Sequence, residues 1–151
     1  MSRPASALSS VTRVRRRAVA LSLAGLFPWA AVVWAEGFYL VFSFGWTHRA
    51  LSGFTALPSI LLAPRISTAF VEAWGFASAL YVLALGSAAL DQWWRGDRRV
   101  TAGLLFLAGV NVLWFTLTLS GQRGITVLPL GLCTLWPAAA YEYWTLATDD
   151  G

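Results

Sequence analysis

The chain has no lysine, one cysteine, one histidine and one asparagine, and only 12% of its 151 residues are charged. Each shortage removes a class of function. A lone Cys133 allows no intrachain disulfide, no CxxC redox pair and no zinc cluster. A lone His48 rules out bis-histidine haem ligation within one chain. No HExxH, GxSxG, phosphate loop or dinucleotide fingerprint occurs, so the common hydrolase and nucleotide-binding signatures are missing and no cofactor is expected. A soluble domain carries charge on about a quarter of its residues. Half that charge, with 58% hydrophobic residues and a mean hydropathy of +0.63, puts the chain in the membrane class.

All eleven basic residues are arginine, a bias we attribute to a GC-rich genome. The net charge of +4 could suggest nucleic-acid binding, but the arginines stand at the ends of apolar runs. Lipid headgroups and membrane topology account for that placement, so no nucleic-acid partner is expected. The partner implied is a bilayer with anionic headgroups.

Four apolar runs predict an all-α, four-span transmembrane helix bundle in one domain, residues 18–145. Residues 1–17 read as a disordered basic cytoplasmic tail and 146–151 as a short acidic one. The first span, about 18–35, follows Arg13, Arg15, Arg16 and Arg17 and carries Pro28 in its middle. Eighteen residues give about 27 Å of helix, close to a hydrocarbon core of about 30 Å. Pro28 predicts a kink, which neighbouring helices can satisfy in a membrane. The same stretch, ending Val33-Trp34-Ala35, also has the outline of a cleaved signal peptide. Three further spans favour its retention as a helix: about 67–90, 101–120 and 125–144.

Between the first two spans lies one long outer connection. Its aromatic part, residues 37–46, reads as a short extended or interfacial segment, and 47–66 as an interfacial loop. With the N-terminus inside, eight arginines fall on inner segments and three on outer ones. The positive-inside rule then predicts both termini in the cytoplasm and a multi-pass protein of the cell membrane.

An ionisable residue in a span is a functional candidate, because it is costly to place there. Glu36 and Glu72 are expected at similar depth near the outer surface, with Arg65 and Arg123 on the same side. Arg65 and Glu72 are two helical turns apart, which suits an outer salt-bridge cluster. The competing reading is a proton- or cation-binding carboxylate pair at a cavity mouth. Glu142, between Tyr141 and Tyr143, is expected at the inner interface, and Cys133 as a small apolar filler. Asn111, midway along the third span, can bond across to another helix. Gly75 with Ala79, and Ala73 with Ala77, have the small-xxx-small spacing of close helix contacts.

Several short stretches carry a family likeness: Arg13–Arg17 before a span with Pro28-Trp29, Val41-Phe-Ser-Phe-Gly-Trp46, Glu72-Ala-Trp74, and Asp97-Arg-Arg-Val-Thr-Ala-Gly-Leu-Leu105. In these the chain resembles a family of short, uncharacterised integral membrane proteins of halophilic archaea. The resemblance implies a membrane protein and no particular activity. The leading expectation is a non-enzymatic accessory or structural membrane protein that acts through helix–helix contacts, as a homodimer or with another membrane protein. The alternative is a small proton- or cation-coupled transporter or channel using the outer glutamates.

Overall fold

The computed structural model describes residues 4–47, 51–62, 69–94, 97–122 and 124–149. It replaces the expected all-α bundle with a mixed fold of five helices and a five-stranded antiparallel sheet. Two of the four expected spans are long apolar helices; the other two are split between helix and strand.

The first split falls at Pro28. Helix α1 (Pro4–Leu26) begins inside the stretch expected as a disordered tail and stops two residues before the proline. Proline disfavours helical backbone in the residue before it, so Phe27 cannot continue the helix. The chain then enters β1 (Ala30–Trp34), where Val32, Val33 and Trp34 are natural strand formers. A two-residue turn at Ala35-Glu36 leads into β2 (Gly37–Val41), paired with β1 in register Val32 to Tyr39. The long outer connection is thus largely folded, with β3 (Gly45–Thr47), β4 (Phe54–Ala56) and the short helix α2 (Leu57–Leu61) completing it. The extended reading of residues 37–46 agrees with β2 and the start of β3.

Helix α3 (Ala69–Trp94) and helix α4 (Arg98–Ser120) form an antiparallel hairpin with the most extensive contact of any two elements. Asp97 caps α4, its carboxylate accepting from the Arg99 backbone N–H at 2.9 Å. Thr101 donates to the Ser87 hydroxyl at 3.0 Å and ties the two helices near their shared turn.

The second split falls at Pro129. Gly124, at φ +80, supplies a left-handed residue between α4 and β5 (Ile125–Leu128). Strand β5 pairs with β1, Val127 opposite Val32, and gives the sheet order β4-β3-β2-β1-β5. Helix α5 (Leu132–Asp149) follows, with Pro137 inside it.

The sheet lies across one end of the helices. Ala30, Val32, Val41 and Val127 face inward and are buried, while Val33, Phe38 and Leu128 face away and are exposed. Beneath it, Trp46 stacks on Trp74 of α3 at 5.7 Å, and the Trp74 indole donates to Phe42 O at 2.8 Å. Trp29 joins α1 to the sheet: its backbone N–H donates to Val41 O, its carbonyl accepts from Gly131, and its indole donates to Ala24 O. Tyr81 of α3 meets the Trp29 ring edge-on at 5.6 Å and donates to Leu21 O at 2.6 Å. Gly25 and Gly131 make these approaches possible, since a Cβ on either would run into Tyr81 or Trp29.

Candidate functional site

At the end of the helices away from the sheet, four helices bring charged side chains together. Arg17 of α1 reaches between α3 and α5. Its Nε donates to Glu142 Oε1 at 2.8 Å, and its Nη1 donates to Asp91 Oδ2 at 2.5 Å. Arg98, at the start of α4, approaches the same Asp91 oxygen at 3.6 Å. Glu142 is 1% exposed, the most buried charged side chain among those described. The other two atoms of the cluster, Arg17 Nη2 and Glu142 Oε2, are buried with no hydrogen-bond partner among the described residues. Two cations and two anions leave the node neutral, which lowers the cost of holding it out of water. Its direct effect is to fix α1 against α3 and α5.

Each member sits on the core-facing stripe of its own helix. On α5 the buried residues are Leu135, Ala138, Ala139 and then Glu142; on α3, Ala84 and Ala88 lead to Asp91; on α1, Arg17 precedes Leu21 and Ala24. The sequence reading put Glu142 at the interface and Arg17 among topology-setting arginines, and so missed the node. The signal for it is there at helical spacing: a charge three or four residues beyond the last apolar member of each stripe.

The expected outer cluster falls only in part on the described residues. Glu36 lies in the β1–β2 turn and Glu72 in the first turn of α3, both exposed and both at the sheet end. Arg65 and Arg123 lie outside the described residues, as do His48 and Arg49. Neither glutamate lines any of three cavities formed by described residues: 560 Å³ between α4 and α5, 420 Å³ along α1 beside Arg15 and Arg16, and 170 Å³ between α1 and α3 next to Arg17. Among the described residues no three His, Cys, Asp or Glu side chains gather as a metal-binding group.

Asn111 is half-buried and donates to Leu107 O of its own helix at 3.0 Å. Thr116 and Thr118 likewise bond back to Leu113 and Trp114. Of the small residues on α3, Ala73 and Ala77 are buried in the core, Gly75 lies against Leu61 of α2, and Ala79 is exposed. Cys133, expected as an apolar filler, is exposed in the first turn of α5.

The charged node and the sheet both join the beginning of the chain to its end, and one family description covers that whole span. The model of a domain of unknown function, DUF8050, matches residues 1–150, and the chain belongs to that family. No curated protein and no solved structure matches it.

Proposed function

From membership of a family with no assigned activity, we propose a membrane-embedded, non-enzymatic protein whose α3–α4 hairpin crosses the bilayer. The observation that carries this is where the apolar surface lies. Val71–Asp91 and Arg98–Ser120 are long and apolar enough to cross, yet only 39% and 44% of their apolar windows are buried. The core helix of a soluble protein hides most of such a surface. Here Phe76, Val82, Leu83, Phe106, Trp114 and Leu117 all point outward. An apolar belt of this extent is unfavourable in water and suited to lipid. Arg15, Arg16, Arg98 and Arg99 at the node end support a cytoplasmic position for that end, with the sheet on the outer side. The resemblance to short membrane proteins of halophilic archaea supports the same reading.

Within the membrane the protein acts as an accessory or structural component. Asn111, set among the exposed Leu107, Val110 and Trp114, supports a partner helix on that face of α4. An amide beside hydrocarbon gains by bonding across to another helix. The partner is a second copy or another membrane protein.

Alkaline carbonate extraction of membranes tests the first part. The protein should stay in the pellet and leave it only with detergent; recovery in the carbonate supernatant would overturn the membrane reading. Sizing in mild detergent tests the second part, with Asn111→Leu expected to lower the associated fraction. A strict monomer, with membrane complexes intact after gene deletion, would remove the accessory role.

A further inference from the structure

The groove between α4 and α5 is open along its outer face, and its two ends differ in chemistry. Its volume of 560 Å³ is in the range of small-ligand sites. Ala102 and Gly103 on α4, with Ala139 and Ala140 on α5, form an apolar floor of small residues. A Cβ built on Gly103 would meet nothing within 4 Å, so the helices leave open space there. Toward the sheet the groove is stopped by Phe106 and Trp136, whose rings stack at 5.9 Å. The Trp136 indole lies directly over Gly109, which closes the space beyond. At the opposite end stand Arg99, exposed in the first turn of α4, and Tyr143 of α5. From Arg99 to Phe106 is two turns of helix, about 10 Å.

We propose that this groove holds the headgroup-proximal part of one acyl chain of an anionic phospholipid, with the lipid phosphate at Arg99 and Tyr143. The site rests on the membrane reading above and names a specific ligand for it. Charge complementarity selects the occupant. An apolar groove with a cation at one end fits a molecule with an apolar tail and an anionic head. Arg98, one residue earlier, is already directed to Asp91, so Arg99 supplies the charge for the headgroup. Asp97 serves as the helix cap, its carboxylate accepting the Arg99 backbone N–H, and does not line the groove. The ring pair at one end and Arg99 at the other set the direction: the tail runs toward the sheet and the head stays at the arginine end, where the proposed topology puts the inner leaflet.

Native mass spectrometry of the full chain in mild detergent tests this, with phosphatidylglycerol and phosphatidylcholine of equal chain length as probes. The wild-type chain should retain one lipid and prefer phosphatidylglycerol by about fivefold, the effect expected of one arginine near a lipid surface. Arg99→Gln should bring the preference to about one while an apolar adduct survives. Gly103→Leu, which fills the floor, should lose both adducts with helical circular dichroism unchanged. An unchanged preference in Arg99→Gln, or full lipid retention in Gly103→Leu, overturns the proposal. So does a dimer that falls apart in Gly103→Leu without any lipid adduct, since a second copy would then be the occupant. Carbonate extraction separates the two readings: a protein retained in the pellet but lacking the lipid preference loses only the groove, whereas a soluble one loses both.

Discussion

Arg17 is the residue on which the charged end depends. Its guanidinium holds two carboxylates from two other helices, and one of them, Glu142, has no access to water. Removing one member of a buried pair leaves a charge without compensation, at a cost of about 3–5 kcal/mol. Glu142→Leu should therefore lower stability by about 3 kcal/mol, the lower part of that range because Asp91 still accepts from Arg17. Adding Arg17→Met to it should recover at least about 1 kcal/mol, since apolar groups of similar volume pack well in such sites. Thermal unfolding in detergent of the two single variants and the double variant gives both numbers, and a double variant no better than Glu142→Leu would show that charge is not what the node balances. Tyr39, at the sheet end, offers a second test. Burial beneath Trp34 and Trp46 raises its phenol above the ordinary value of about 10. The folded state thus favours the neutral ring. Its contribution is fully present below pH 10 and is lost as pH rises through the higher folded value. Absorbance titration at 295 nm should show a late-ionising component that is diminished in Tyr39→Phe.

At the scale of elements, the small residues of α3 divide by face. Ala73 and Ala77 are buried where helices pack, and Ala79, two positions on from Ala77, points outward. Ala77→Leu forces added volume into a full interface and should destabilise by about 1–3 kcal/mol. Ala79→Leu changes only an outward surface and should stay within about 0.5 kcal/mol of wild type. Detergent unfolding of the pair decides it. The small-xxx-small pattern showed that α3 packs closely, but both of its pairs satisfied the rule, and only the fold says which one meets a helix. The ends of α3 and α4 were legible to within a few residues because their apolar runs have no internal proline. The other two runs were misread for one reason. Apolarity marks what avoids water and does not distinguish strand from helix in a short run. Pro28 and Pro129 were the available signals. A membrane context lets Pro28 be read as a kink, whereas Pro28 and Pro129 both mark points at which helix and strand meet. The β-branched stretches Val32-Val33 and Ile125-Thr126-Val127 beside them were the supporting cue.

For the whole molecule, the two ends differ in kind. One end is arginine-rich and joined by side-chain charge; the other is a sheet joined by backbone pairing. The placement of Arg15, Arg16, Arg17, Arg98 and Arg99 gives the first of these ends its charge. It also sets the orientation test. With Cys133→Ser as background, Thr126→Cys on the exposed edge strand β5 should react with a membrane-impermeant maleimide added to intact cells. Arg15→Cys should react only after lysis. The reverse pattern would invert the molecule in the membrane. The acidic outer pair proposed from sequence was only partly traceable at this scale, because Arg65 and Arg123 are outside the described residues.

The pairing of β1 with β5 also sets an order of events in biosynthesis. Strand β1 leaves the ribosome early, with β2 to cover one edge, but its other edge is completed only by residues 125–128. The α3–α4 hairpin is made in between. During that interval an apolar strand, Ala30 to Trp34, stands with half its backbone groups unmatched. An unpaired edge of this kind invites pairing with another chain. The segment from Ile125 onward therefore ends a window in which the nascent protein is most open to wrong partners, and a chain stalled or cut before it would keep that edge permanently available to proteases and aggregates.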